Sequence, residues 1–317
     1  MIEFALLFPG QGSQYVGMGL NLFESYPVAR EVFNEVNDIM GIDLKKKCFK
    51  GPREVLNETH NAQPAILTAS YAAYQVIKEN CDCTFQPQVL AGHSLGEYTA
   101  LVVSGALKFQ DAIKLVRERG RLMKEAGEQA QGGMLAVIGA TSERVDKRCQ
   151  EIAKSSGLVL SIANDNCPGQ VVISGHIKAL EEFENNYKEI GGKMIKRLAI
   201  SVACHTTLMG PAQEEFDIFL EEVSLERAEV PVYANTTAKP ITSPEDIKSE
   251  LRQQLCGPIK WRQSIQNMHN EGVDYYIEVG PGKVLSGLGR RIIPGSNGIN
   301  FGKCEELEKV CEIICGQ

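Results

Sequence analysis

The chain has 317 residues, a net charge of −7 and 43% hydrophobic residues. This composition is typical of a globular protein that is large enough for one big domain with an insertion, or for two domains. The acidic balance argues against nucleic acid as a partner, and no apolar run approaches the roughly 18 residues that cross a membrane. The first residues lack the pattern of a signal peptide, so we expect a cytoplasmic protein.

Cysteine and histidine spacing gives no sign of a metal site. The ten cysteines are scattered without a C-x-x-C pair, and the five histidines show no metal-ligand spacing. We therefore expect reduced cysteines, no metal and no resident cofactor.

The first part of the chain predicts alternating strands and helices. Phe4–Phe8 predicts a buried strand that leads into a glycine-rich loop at 9–14. Such loops often line a site in α/β proteins, but this one lacks the spacing of nucleotide-binding motifs. Apolar spacing predicts helices over 62–79 and 110–126, and a second buried strand begins at Val89.

The middle of the chain predicts a separate small unit. Its elements follow in the order β-α-β-β-α-β, which is the ferredoxin-like pattern. The predicted strands are 134–138, 158–163, 170–174 and 194–202, and the predicted helices are 142–154 and 177–190. Beyond this unit we predict helices near 209–222, 244–255, 261–270 and 284–293, and strands near 230–234 and 275–279.

The segment that follows Val89 matches G-x-S-x-G between a strand and a helix. A serine between two glycines at such a junction is typical of a nucleophile elbow. The tight turn would expose the hydroxyl of Ser94 and would place the amide of Leu95 where an oxyanion could form. We therefore predict an α/β-hydrolase-like domain with a parallel sheet, formed by residues 1–128 and 198–317, with an inserted ferredoxin-like subdomain at 129–197.

A serine nucleophile needs a base. His205 ends a predicted strand and precedes a helix, which is the usual place for a base over a sheet edge. The other histidines are His60, His93, His176 and His269. Of these, His176 at a predicted helix start stays open as an alternative base, and His93 is too close in sequence to Ser94 for more than a supporting role. No acid suggests itself as a third member, so a Ser-His dyad is possible.

Arg119 falls within the apolar stripe of the helix predicted at 110–126. A buried unpaired charge is very costly, so this arginine needs an anion. An internal ion pair with an Asp or Glu is one reading. The other is a bidentate clamp on a substrate carboxylate.

These residues favour acyl transfer through an acyl-serine whose acyl group carries a free carboxylate. Hydrolysis is the alternative, for instance by an acyl-hydrolase that clears carrier proteins, because esterases and lipases share the elbow. An apolar residue at position 119 would favour that hydrolase. A non-catalytic docking protein is a third reading, against which Ser94, His205 and Arg119 argue together.

Several segments in order along the chain resemble one family. They are the stretches 8–14, 92–97, 119–120, 164–175, 201–205 and 278–285. Over essentially its whole length the chain is similar to the malonyl-CoA:acyl carrier protein transacylases, which are free-standing acyltransferases of fatty acid synthesis and some polyketide pathways.

The resemblance implies a role for each matching residue. Ser94 matches the nucleophile and His205 the base. The amides of Gln11 and Leu95 match the oxyanion hole, and Arg119 matches the arginine that binds the malonyl carboxylate.

Other positions have supporting roles by the same resemblance. Gln254 matches the position whose backbone carbonyl holds the histidine in place of an acid. Asn164 lies where the family contacts substrate, and His93 is a supporting residue. The partners implied are malonyl-CoA and an acyl carrier protein, and the implied state is a monomer.

Two features of the chain are not settled by the resemblance: the choice of acyl group and the surface that docks the carrier protein. Cys204 precedes His205 where serine or an aromatic residue is commoner, so the choice between malonyl and methylmalonyl stays open. Carrier proteins are acidic, so an acidic chain must dock them through a local basic patch. Candidates are Lys193, Lys196 and Arg197, and Lys283, Arg290 and Arg291.

Overall fold

The computed structural model describes residues 3–81, 86–129, 131–198 and 202–316. The strands in chain order are β1 Phe4–Phe8, β2 Val89–Gly92, β3 Gly132–Ile138, β4 Leu160–Cys167, β5 Gln170–His176, β6 Met194–Arg197, β7 Val232–Tyr233, β8 Pro240–Ile241, β9 Tyr275–Val279 and β10 Asn297–Phe301. The helices are α1 Leu20–Ser25, α2 Pro27–Met40, α3 Leu44–Lys50, α4 Arg53–Asn57, α5 Thr59–Asn80, α6 Leu95–Val103, α7 Phe109–Gln129, α8 Ser142–Ser156, α9 Ile177–Asn186, α10 Gly210–Glu221, α11 Pro244–Gln254, α12 Trp261–Asn270, α13 Val284–Ile292 and α14 Leu307–Cys315.

The larger sheet has the strand order β10-β9-β1-β2-β7-β8. Its paired strands run parallel except for β8, which is antiparallel to β7. All five residues of β1 are buried, as an apolar strand in the middle of a parallel sheet requires. The mixed α/β architecture predicted from the sequence is thereby confirmed.

The pairing of β1 with β2 positions the site. Phe8 is the register partner of Gly92, so the two strands end at the same edge of the sheet. The glycine-rich loop after β1 and the turn after β2 therefore lie side by side.

The second sheet is antiparallel, with the order β4-β5-β3-β6. Helices α8 and α9 pack on it around a core of their own, separate from the core of the larger sheet. That core includes Leu135, Val145, Ile152, Ile173 and Phe183.

This small unit is attached to the larger sheet's layer through β4. The amide of Asp165 donates to the carbonyl of Ile259, and the amide of Ile259 donates to that of Ala163. The Asp165 carboxylate also accepts hydrogen bonds at 2.7 and 2.9 Å from the guanidinium of Arg262 on α12. One edge of the cleft between the two sheets is thereby held in place.

The elements differ from the sequence prediction in a few places. Residues 164–167, predicted as a loop from their Asn and Asp content, lie in β4, because β5 and Ile259 supply backbone partners and two register shifts absorb the irregular residues. The strand predicted over 194–202 ends at Arg197, and residues 199–201 lie outside the described residues. Helices α1 to α4 were not predicted.

The expectation of reduced cysteines was wrong. Cys81, which follows α5, forms a disulfide with Cys311 in α14. The bond links residues 230 apart in sequence and attaches the last helix to the main layer. Within the described ranges, no helix has both the length and the apolar character needed to cross a membrane.

Candidate active site

Ser94 lies in a turn that only glycines can flank. A Cβ added at Gly92 would lie 1.9 Å from the carbonyl carbon of Gly96, and one added at Gly96 would lie 2.0 Å from the carbonyl oxygen of Phe8. Ser94 itself has φ +51°, a strained value for a residue with a side chain. The strain holds its hydroxyl out at the sheet edge.

Asn235, two residues past β7, fixes this turn. Its Oδ1 accepts from the amide of Ser94 at 2.7 Å, and its Nδ2 donates to the carbonyl of Gly92 at 2.8 Å. Asn235 is buried, and its hydrogen bond to the carbonyl of Gly92 is buried with it. No motif in the sequence marks Asn235 for this role.

His205 is brought to Ser94 across 111 residues of sequence. Its Nε2 lies 3.0 Å from Ser94 Oγ, and its Nδ1 lies 2.8 Å from the carbonyl oxygen of Gln254. A carbonyl can only accept, so Nδ1 carries the proton and Nε2 is left as the acceptor for the serine. Burial, helped by the positive charge of Arg119, lowers the pKa of His205 to about 3, which keeps the imidazole neutral.

The other histidines lie elsewhere. His176 accepts from the amide of Val159 in the small unit, and His60 is in the first turn of α5 beside Glu58. His269 lies in the last turn of α12. The structure thus brings His205 to Ser94 and leaves the alternative base His176 in the other layer.

Arg119 is 1% exposed and contacts the side chain of Ser94 directly. Its Nη2 donates to Ser94 Oγ at 3.0 Å and to Gln254 Oε1 at 3.0 Å, and its Nη1 donates to Gln63 Oε1 at 2.9 Å. The guanidinium also lies 5.4 Å from the centre of the Tyr98 ring. Each of these partners is neutral. The contacts therefore differ from the internal ion pair with an Asp or Glu that was one interpretation of the sequence.

A cavity of about 280 Å³ opens over these groups. Gln11 and Leu95, the predicted oxyanion-hole residues, line it on the side of the larger sheet. Leu95 begins α6, so its amide belongs to the first turn, where helix amides have no partner within the helix. The remaining lining is largely apolar and includes Met123, Met134, Ala136, Val172, Leu198 and Leu288.

The supporting residues lie where the small unit meets this cavity. His93 Nε2 is 2.8 Å from Oδ1 of Asn166 in β4, and burial lowers the pKa of His93. Asn164 and Cys204 also line the cavity. Burial raises the pKa of the Cys204 thiol to about 11, so the thiol stays protonated. Asn166, which lies at a register shift in β4, was missed from the sequence.

Among the described residues, no group of three or more His, Cys, Asp or Glu side chains could hold a metal ion. The polar groups around the cavity are instead a hydroxyl, an imidazole, a guanidinium and amides. Such a set can activate a hydroxyl, stabilise an oxyanion and bind a carboxylate.

Known proteins share this chain's sequence and fold. Residues 5–293 match the family described as the acyl transferase domain. A relative from Haemophilus influenzae, named malonyl CoA-acyl carrier protein transacylase, is 42% identical over 314 residues, which cover 99% of this chain and 100% of the relative.

Two solved structures are similar throughout. An acyl carrier protein S-malonyltransferase from Vibrio cholerae is 42% identical with a TM-score of 0.93, and the match covers 97% of this chain and 99% of that one. A malonyl-transacylase in complex with a type II polyketide synthase acyl carrier protein (PlMCAT:AntF) is 38% identical with a TM-score of 0.93, covering 99% and 100% of the two chains.

Proposed function

Because the chain belongs to the acyl transferase family, we propose that Ser94 and His205 carry out the transfer that its relatives are named for. That activity is the transfer of a malonyl group from malonyl-CoA to an acyl carrier protein. The observation that carries the mechanism is the chain of contacts from Ser94 Oγ to His205 Nε2 and from His205 Nδ1 to the carbonyl of Gln254.

In the first half-reaction Ser94 is acylated. Its Oγ attacks the thioester carbonyl carbon of malonyl-CoA while His205 Nε2 takes the hydroxyl proton. The tetrahedral intermediate collapses with cleavage of the C–S bond. The proton passes from Nε2 to the departing sulfur, so that coenzyme A leaves as the thiol.

The second half-reaction reverses these roles. The phosphopantetheine thiol of the carrier protein attacks the ester carbonyl of malonyl-Ser94, and His205 takes the thiol proton. Collapse breaks the C–O bond and returns that proton to Ser94 Oγ. The steps exchange one acyl bond for another, and no resident cofactor is needed to balance them.

The backbone amides of Gln11 and Leu95 would receive the oxyanion in both steps. Both residues line the cavity: Gln11 lies on the loop after β1, and Leu95 is the first residue of α6, after the neighbouring β2. Donors held by backbone geometry need no reorganisation, and removing a side-chain donor from an oxyanion hole costs about 2.7–4 kcal/mol of transition-state stabilisation.

Arg119 would select the acyl group. Its guanidinium is buried, hydrogen-bonds only neutral groups in the contacts described above and lies at the nucleophile, so a malonyl carboxylate would supply the anion it lacks. The rival acyl-hydrolase gains nothing from a cation at this position. Asn164 and His93, which line the same cavity, would support the acyl group from the side of the small unit.

We further propose the domain division expected from the sequence. An α/β-hydrolase-like domain would comprise 1–128 and 198–317, and a ferredoxin-like subdomain would comprise 129–197. The strand orders β10-β9-β1-β2-β7-β8 and β4-β5-β3-β6 and the separate core of the small unit support this division. A monomer remains a prediction.

The test is intact mass after incubation with malonyl-CoA, acetyl-CoA or methylmalonyl-CoA. The wild-type protein should gain one malonyl group, which passes to a carrier protein on its addition. Ser94→Ala should gain none, and His205→Ala should gain it far more slowly. Steady release of free malonate and coenzyme A without an adduct would instead indicate the hydrolase.

A further inference from the structure

Behind the guanidinium of Arg119 lies a second polar layer built around the side chain of Gln254. Oε1 of this amide accepts from Arg119 Nη2 at 3.0 Å. Its Nε2 donates to Oε2 of Glu97 at 2.6 Å and to the carbonyl of Ser94 at 3.0 Å. Glu97 and Gln254 are both fully buried. The side chain of Gln254 thus connects Glu97 to the acyl-binding arginine.

The direction of this amide matters to Arg119. An amide rotated by half a turn would point its NH₂ group at the guanidinium, donor against donor, and would leave Arg119 Nη2 without that acceptor. Glu97 opposes the rotation. Its Oε2 acts as an acceptor, and only the NH₂ group of the Gln254 amide can donate to it. The carbonyl of Ser94 is likewise an acceptor and also requires the NH₂ group of the amide as its donor.

Glu97 can perform this role in either protonation state. Its burial, together with the nearby Glu250 carboxyl, raises its pKa well above the usual value. Its Oε1 has no hydrogen-bond partner among the described residues, so a proton on that atom would leave Oε2 free to accept. The contact to Gln254 therefore depends on an acceptor at this position and does not depend on its charge.

We propose that Glu97 is a positioning residue for acyl selection: it holds the Gln254 amide so that Arg119 is fixed to receive the acyl carboxylate. This inference rests on the proposed function. It concerns only the preference for malonyl over an uncharged acyl group, because the Gln254 carbonyl that holds His205 belongs to the backbone.

The test compares kcat/KM for malonyl-CoA and acetyl-CoA in the acylation of Ser94. Glu97→Ala should lower the malonyl-to-acetyl ratio by about tenfold, within the range of coupling found for residues that share one hydrogen-bond network. Glu97→Gln keeps an acceptor oxygen and should retain a ratio within about threefold of wild type on the same scale.

Gln254→Met provides a second route to the same measurement. It removes both polar ends of the side chain, keeps the backbone carbonyl and fills a similar volume. It should lower the ratio as Glu97→Ala does. The double variant should lose no more than the larger single effect, since both changes break one connection.

Glu278→Ala is the matched control. Glu278 is another buried carboxyl, it accepts from the amide and hydroxyl of Ser286, and its other oxygen likewise lacks a partner among the described residues. It should reduce stability and leave the ratio unchanged.

Two results would overturn the inference. One is an unchanged ratio in folded Glu97→Ala or in Gln254→Met. The other is a malonyl-to-acetyl ratio that is as low in Glu97→Gln as in Glu97→Ala, which would assign the effect to the charge of Glu97. Failure of the proposed function is distinct from both, because then the wild-type protein would not be malonylated.

Discussion

The guanidinium of Arg119 donates a hydrogen bond from Nη2 to Oγ of Ser94 at 3.0 Å. The group proposed to bind the acyl carboxylate therefore contacts the proposed nucleophile before any acyl group is present. In a malonyl ester of Ser94 the free carboxylate would lie two bonds beyond the ester carbonyl carbon. It would therefore be within reach of the Arg119 guanidinium. The group proposed to select the acyl chain and the atoms proposed to react thus lie in the same small part of the cavity.

Arg119→Leu should convert the preference of the enzyme. Loss of the buried charge-assisted contact should cost about 2–5 kcal/mol of transition-state stabilisation with malonyl-CoA. This corresponds to a decrease of kcat/KM by roughly 30- to several-thousand-fold. Acylation by acetyl-CoA should persist or improve, because an apolar side chain suits an uncharged acyl group. Parallel rate measurements with both thioesters test this. An equal loss for both would make Arg119 a structural residue.

The pH dependence of acylation should lack the usual histidine limb near pH 6.5. Burial first, and the charge of Arg119 second, hold the pKa of His205 near 3, so the base stays neutral down to well below pH 6. The rate of acylation by acetyl-CoA should therefore stay nearly constant from pH 8 to 5. In Arg119→Leu the pKa should rise and the acid limb should move to higher pH. A limb at pH 6.5 in the wild-type protein would contradict the neutral, buried base.

The same shift affects stability. Below about pH 6.5 the unfolded chain takes up a proton on this residue that the folded protein does not bind. The free energy of unfolding should therefore fall as the pH falls from 6.5 toward 3. Denaturant titrations at several pH values measure this, with His205→Gln as the control whose slope should be smaller.

Gly92→Ala should prevent stable folding of the nucleophile turn. The added methyl group would meet the backbone of Gly96 at 1.9 Å, and backbone cannot move aside as a flexible side chain can. A Cβ at Gly287, inside α13, meets nothing within 4 Å. Gly287→Ala should therefore be neutral or stabilise by up to about 1 kcal/mol. Thermal unfolding of the two variants compares them directly, and equal melting temperatures would contradict the close approach.

Cys311→Ser should lower the unfolding temperature without changing malonyl transfer. The disulfide to Cys81 closes a very long loop and attaches α14, which does not line the cavity, so its loss should cost about 2–4 kcal/mol. Reductant should destabilise the wild-type protein by at least as much, because Cys315 is also disulfide-bonded. Cys304→Ser, which removes a free thiol near the start of α14, should leave that sensitivity to reductant intact. A wild-type protein indifferent to reductant would contradict the bond.

Local patterns predicted much of the fold because they record local physics. Two glycines around Ser94 are required by contacts within a few residues, and an arginine in an apolar stripe signals burial wherever the helix packs. The strand at 275–279 and the helix at 261–270 were likewise predicted with the boundaries that the structure shows. Residues 164–167 were predicted wrongly, because their Asn and Asp content is typical of a loop, whereas β5 and the distant Ile259 supply strand partners to their backbone.

The sequence by itself determined the glycine-flanked turn that presents Ser94 and the burial of Arg119, since these depend on residue type and short spacing. Only the tertiary structure decided that His205 and not His176 meets Ser94, that Asn235 fixes the turn and that Gln254 links Glu97 to Arg119. These contacts join residues more than 100 positions apart. Sheet pairing and helix packing bring them together, and no local pattern encodes that arrangement.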